Sequence, residues 1–444
     1  MQHPMPILRI LGLVFLLINP VALTVFASTD DATLESAVFG SGDRKQGYDT
    51  DQYVTNSLSI TARKGAKADL LKYINEPILG LPAVSQPVDN IATVEKVELG
   101  RLLFFDRRLS LNDTFSCAIC HIPEQGFTSN EIKTAVGIEG RSVKRNSPTI
   151  YNIAHYDILF QDGREDSLEQ QAWSPLLAHN EMANPSIGYV INKIKAIKEY
   201  QGLFEQAFDG KGPTMETVGK ALAVYQRALN SANSSFDQWK YGDDENALSQ
   251  DEIAGYQLFA GKAACASCHL IGADYALFTD NQLHNTGHGY ATSMGIKPPK
   301  TRVQLAPGVF VDVDNEIINS VRQQPKQNDV GRYEVTQNPY DRWKYRTPSL
   351  RNIALTAPYM HDGAFSTLRE VVDFYNRGGI ENELLSPLIR PLDLTEQEIE
   401  QLIAFMQTLT GSNVKTLVAD AFAAPIGDIS KEDPNWAHDT QYSD

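Results

Sequence analysis

The chain has 444 residues, 42% of them hydrophobic and 21% charged, enough apolar material to bury one large core or two of ordinary size. Lys and Arg number 39 against 55 Asp and Glu, a net charge of -16, and so acidic a surface repels phosphate backbones and anionic lipid, which argues against a nucleic-acid partner. Four cysteines are too few for a disulfide scaffold, so their importance depends on where they stand.

In chain order, residues 1–27 read as an export signal. Arg9 is the only Lys, Arg, Asp or Glu before Asp30, residues 10–26 are mostly apolar, and Val25-Phe26-Ala27 precedes a polar stretch. A single uncleaved anchor is the alternative, but the run is short for a bilayer span and is broken by Pro20. The expectation is therefore an exported, periplasmic protein without a membrane anchor. Residues 28–90 read as a polar N-terminal extension. From Val94 onward helical signals dominate, with Val218, Leu222, Tyr225 and Leu229, and later Ile399, Leu402, Met406 and Leu409, at helical spacing. Ser249 with Glu252 and Thr395 with Glu398 read as capping boxes. The class predicted is mainly α, and from Gly411 onward the chain reads as a polar, surface-draped tail.

An internal repeat is visible. Ser147-Pro-Thr-Ile-Tyr-Asn-Ile-Ala154 matches Thr347-Pro-Ser-Leu-Arg-Asn-Ile-Ala354 at an offset of 200, and Asp162-Gly163 and Ser167-Leu168 answer Asp362-Gly363 and Thr367-Leu368 in the same register. Cys117 and Cys265 are offset by only 148, so the second half has gained 52 residues within His284 to Tyr345. Rich in Gly, Pro and Asn, that insertion is expected to be largely loop.

All four cysteines fall in two pentapeptides, Cys117-Ala-Ile-Cys120-His121 and Cys265-Ala-Ser-Cys268-His269. On one helical turn the two thiols of C-x-x-C-H can reach both vinyl groups of one porphyrin while the His faces the iron. A zinc site of four thiolates competes, but it has no need of a His after each pair. The predicted cofactors are two covalent haems c, in two cytochrome c-like domains over 91–243 and 244–415, with 416–444 as the tail. A haem iron with two strong ligands passes electrons, and one with an open face can bind peroxide. Tyr375 has Pro175 as its partner at the 200 offset, and proline offers iron no side-chain atom. If Tyr375 closes the second haem, its counterpart leaves the first open.

The run Leu99 to Asp106, the two C-x-x-C-H motifs, Arg145-Asn-Ser-Pro-Thr149, Asp162-Gly-Arg164, Glu181-Met182 and Thr347 through Gly363 together resemble the bacterial di-haem cytochrome c peroxidase superfamily, within it the MauG-like subgroup, over about residues 94–425. The resemblance implies a peroxidatic first haem on His121 and a second haem held by His269 and Tyr375, with Arg164 and His361 supporting the cofactors. The distal His of the peroxidases proper has its match at Ile138, which implies a first haem ready without reductive activation. Tyr375 stands where those peroxidases carry Met, with Met360 as a competing ligand. Glu181 matches the distal acid/base, Gln171 the residue that orients peroxide and Pro175 the third distal position; His179 is the alternative proton carrier. Gln161 replaces the family's Trp between the haems, and Trp173 is a candidate substitute. Asn146, Thr356 and Pro358 match the calcium ligands.

The expected function is reduction of hydrogen peroxide with electrons from a small redox protein, a cytochrome c or a cupredoxin. The alternatives are a MauG-like enzyme that oxidises residues of a partner protein and, from another class, a di-haem electron carrier or haem sensor.

Overall fold

The computed structural model describes residues 65–424 apart from 131, 296–299, 307–308, 315–316 and 318–327, together with the paired strands Ala37–Val38 and Val54–Thr55. The expected signal segment lies outside the described residues.

Two helix crossings organise the chain. The helix Val94–Phe105, started by Thr93 accepting a hydrogen bond from the Lys96 N–H, crosses Met215–Ala228. Val218, Leu222, Tyr225 and Leu229 are at most 2% exposed there, as their spacing predicts. The crossing is backbone to backbone: a Cβ on Gly100 would lie 2.1 Å from the Ala221 carbonyl oxygen. Further on, Gln250–Ala260 crosses Glu396–Gln407 in the same fashion, with a Cβ on Gly255 falling 1.9 Å from the Gln401 oxygen. Both predicted capping boxes form at the starts of these two helices. Around each crossing lies a separate apolar core, one built mainly from residues 70–229 and the other from residues 236–409. The mainly α class holds, since the described strands are three two-stranded pairs.

Three local expectations are corrected. The polar reading of the extension fails at its end: Leu70 and Ile74 are buried in the first core. The tail reading also fails over 414–424. Val414–Phe422 is a helix whose Val414, Leu417, Val418 and Ala421, at helical spacing, are buried in the same core, each larger side chain worth roughly 1.5–3 kcal/mol. The two segments meet, with Ala66 N–H donating to the Ala419 carbonyl and Ala68 N–H to Asp420, both at 2.9 Å. Asp420 also pairs with buried Arg101 at 2.7 Å. Residues 425–444 lie outside the described residues.

The insertion is less loop-like than its composition suggests. It contains the helix His288–Ser293 and a hairpin, Lys300–Ala306 against Val309–Asp314. The alternating Val303, Leu305 and Val309, Val311, Val313 supply the strand signal that Gly and Pro obscured. At its base Leu283–His284 pairs antiparallel with Tyr345–Arg346, which keeps the ends of the insertion together.

Candidate functional site

Cys117–Cys120 forms one helical turn, closed by the His121 N–H donating to the Cys117 carbonyl at 3.0 Å. After a short turn, Phe127 takes φ +52°, an uncommon conformation for a bulky residue, and its carbonyl lies 3.1 Å from His121 Nδ1. Around Cys265–Ser267 the same device recurs: Phe278 has φ +53° and its carbonyl lies 2.9 Å from His269 Nδ1. A carbonyl partner requires the proton on Nδ1, so each Nε2 keeps its lone pair for a metal. Burial lowers the pKa of both imidazoles, keeping them neutral. Phe104 and Phe259, one from each helix crossing, stand 6.5 and 6.3 Å from His121 and His269.

Burial pushes the thiols up, Cys117, Cys120 and Cys265 to about 12 and Cys268 to about 11. No disulfide joins them. They do not converge on one ion either, for among the described residues no metal-capable cluster contains two of them. That removes the four-thiolate zinc alternative.

The second site is a cavity of about 290 Å³ lined by Cys265, Cys268, His269 and Tyr375 together with Leu402 and Met406. Its lining suits a porphyrin in chemistry. Buried Arg346 reaches its wall with Nη1 lacking a hydrogen-bond partner, and burial lowers its pKa; a guanidinium left so calls for an anion such as a propionate carboxylate. Its Nε donates to the Phe160 carbonyl at 3.1 Å and its plane lies 3.7 Å from the Tyr156 ring centroid. Tyr375 is on the helix Leu368–Asn376, and burial raises its phenol with both thiols of this site beside it. Met360 and His361 line the same cavity. His361 is buried, which pushes it down to about 4.

At the first site the chain at the 200 offset behaves differently. The helix Leu168–Gln171 stops after one turn and Trp173–Leu177, containing Pro175, follows as a separate piece. Gln171 ends the first piece, and the Pro175 carbonyl accepts from Met182 N–H at 3.2 Å. That bond brings the turn bearing Glu181 beside Pro175. Glu181 is half-buried, and burial raises its carboxyl although Arg164 works the other way. Its charge adds to the burial that raises the Cys117 and Cys120 thiols. Arg164 pairs with Asp162 at 3.0 Å and lies 3.4 Å from the Phe160 ring centroid. Buried Ile138 donates its N–H to the Glu181 carbonyl at 2.9 Å.

Two substitutes drop out. His179 is exposed, its carbonyl accepting from Arg141. Trp173 is buried in the first core, with Nε1 donating to the Met215 carbonyl at 3.2 Å, and it does not line the cavity that Gln161 lines. Gln161 Nε2 donates to the Asn146 carbonyl and its own carbonyl accepts from Arg346 N–H, both at 2.8 Å. Asn146, Thr356 and Pro358 all reach this cavity wall, with Asn146 Nδ2 donating to the Lys133 carbonyl at 2.9 Å. The sequence reading missed the carbonyls of Phe127 and Phe278, which follow their His residues at different distances and leave no fixed spacing. It also missed Arg346, although a charged residue before Thr347-Pro348, opposite Asn146 in the repeat, was a usable signal.

Two thiol pairs, each followed by a His held for Nε2 ligation in a helical chain, define a di-haem protein of the c type. The chain belongs to the di-haem cytochrome c peroxidase family, whose sequence profile matches residues 94–245. It is 37% identical over 354 residues to cytochrome-c peroxidase IdrP1 of Pseudomonas sp. (strain SCT), covering 76% of this chain and 86% of that one. Methylamine utilization protein MauG of Methylorubrum extorquens is 36% identical over 356 residues, 80% of this chain and 89% of that one. Among solved structures, a MauG-like protein associated with microbial copper homeostasis is 30% identical with a TM-score of 0.64, covering 79% of this chain and 98% of the other. Membership in the family implies two c-type haems. No described helix is long and apolar enough to cross a membrane.

Proposed function

We propose that the protein is an exported peroxidase that reduces hydrogen peroxide at the His121 site, drawing electrons through the His269 site from a small redox protein such as a cytochrome c or a cupredoxin. The two halves, 91–243 and 244–415, act as related haem domains, with a periplasmic location following from the export signal. The observation that carries this reading is the half-buried Glu181 in the turn that the Met182 N–H ties to the Pro175 carbonyl, its charge acting on the Cys117 and Cys120 thiols. Thioether bonds from Cys117 and Cys120 would hold one haem with His121 Nε2 as ligand, and Cys265, Cys268, His269 and Tyr375 would hold the other. Haem iron supplies the electrons that cleave the peroxide oxygen–oxygen bond. Glu181 takes the proton from one peroxide oxygen and returns it to the departing one, so that water leaves. Gln171 orients the peroxide, and Pro175 keeps the face clear because it has no donor atom. Arg164 and His361 flank the two cofactors, and Asn146 with the carbonyls of Thr356 and Pro358 offers oxygens to a calcium ion between the halves.

A second reading, peroxide-driven oxidation of a partner protein, is favoured by Tyr375 and by the 36% identity to MauG, whereas Gln161, which cannot carry an electron hole between the haems as an indole can, counts against it. Steady-state peroxide consumption with reduced cytochrome c decides between them. Turnover that quickens at low salt supports the peroxidase, as an acidic surface (net charge -16) attracts a basic donor. Absence of turnover with a long-lived oxidised spectrum supports the second reading, and no reaction with peroxide leaves an electron carrier or sensor.

A further inference from the structure

One polar cluster borders the second site and shares His361 with its wall. His288 opens the helix His288–Ser293, and His361 and Asp362 are consecutive in the turn after Met360. His288 Nε2 and Asp362 Oδ1 are 2.8 Å apart, and one ligating atom from each of the three residues lies within 4.8 Å of the other two. His361 is 8% exposed, and its Nε2 is buried without a hydrogen-bond partner. The surroundings are aromatic: Phe365 and Phe374 have ring centroids 5.5 and 6.1 Å from that of His288, and Tyr345 stacks on His361 at 3.7 Å and 13°. Asp329 and Arg145 also act on His361, and a buried imidazole nitrogen left without a hydrogen bond is costly unless something bonds to it.

We propose that His288, His361 and Asp362 bind one divalent transition-metal ion of the Zn²⁺ or Cu²⁺ type. Two imidazoles and one carboxylate form a borderline donor set that suits such ions and disfavours Ca²⁺ and Mg²⁺, which want more oxygens. Metal–ligand bonds of about 2.0–2.1 Å require the three atoms to draw closer by side-chain rotation. Of its three ligands only His361 lines the second cavity; His288 and Asp362 do not, so variants at those two positions separate this site from the peroxidase reading.

The test uses the holoprotein, stripped with a chelator and kept in excess Ca²⁺ so that any oxygen site is filled. Zn²⁺ is titrated in, its stoichiometry is measured by elemental analysis, and its ligands are read at the zinc absorption edge, which the haems do not obscure. The expected result is one Zn²⁺ per chain with two imidazoles in its coordination sphere. His288→Ala should weaken binding by about 100-fold or more with both haem spectra unchanged, and the shape-conserving Asp362→Asn should do the same if His288→Ala fails to fold. Zn²⁺ that the chelator removes equally from all variants, or that shows only oxygen ligands, overturns the proposal. Peroxide turnover is not a readout, so failure here leaves the peroxidase reading intact, and loss of turnover leaves the metal site untouched.

Discussion

The His121 and His269 regions share a near side and differ on the far side. On the near side each His is fixed by the carbonyl of a Phe held at φ +52° or +53°, and each stands beside a Phe from a helix crossing at a glycine. On the far side, one has a continuous helix, Leu368–Asn376, that carries Tyr375 into the cavity. The other has a helix broken at Ala172, with Pro175 at the matching position and Glu181 following. The difference is one of local chain chemistry. Thr367 and Glu370 form a capping box that starts the long helix, whereas Ser167 makes no cap bond to its backbone, and Pro175 cannot donate an N–H within a helix. The same cradle thus faces two different walls, one presenting Tyr375 and the other Pro175.

The largest effect should come from removing an anchor. Cys117→Ser or Cys268→Ser should lose folded protein as well as activity, read by circular dichroism and haem staining, because the thiols of both pairs anchor cofactors against the two cores, Cys117 and Cys120 packing on the first and Cys265 on the second; a fully folded, haem-free variant would contradict this. Next comes the open side. Glu181→Gln should lower kcat/KM for peroxide by about 10²–10⁴-fold while leaving the spectrum of the second site unchanged. In the parent, activity should rise with pH as Glu181 loses its proton, with a midpoint above the usual carboxylate range since burial raises its pKa. For stability the sign is opposite. The folded state holds that proton more tightly than the unfolded one, so stability falls as pH rises from the unfolded pKa through the folded one. Glu181→Gln should therefore melt higher than the parent at pH 7 and show no such advantage at pH values below the unfolded pKa. An equal loss of activity at both sites' spectra, or no pH trend, would break the distinction between the walls. The smallest effect concerns the caps. Thr367→Ala should cost about 1 kcal/mol in chemical denaturation, and Ser167→Ala far less.

Much of this asymmetry could be read in the sequence. The two C-x-x-C-H turns, the Tyr375 and Pro175 pairing and both capping boxes rest on short-range patterns, and short-range patterns survive without coordinates. What stayed hidden depended on contacts between distant segments. The stretch 411–444 reads as polar when taken whole, yet within it Val414, Leu417, Val418 and Ala421 share one face and enter the first core. The Phe127 and Phe278 carbonyls are backbone groups, and no residue type announces them. Trp173 was an attractive substitute for the residue at Gln161 by identity alone, and only its hydrogen bond to the Met215 carbonyl shows that it faces elsewhere. The insertion hid a hairpin because its strand-forming residues are diluted among turn residues.

The central claim is that the two sites differ in what faces the iron, and electron paramagnetic resonance of the resting ferric holoprotein tests it most directly. The account predicts one high-spin signal from the His121 site and one low-spin signal from the His269 site, with Tyr375→Phe altering only the second. Two low-spin signals in the parent, or a change at the first site in Tyr375→Phe, would contradict it.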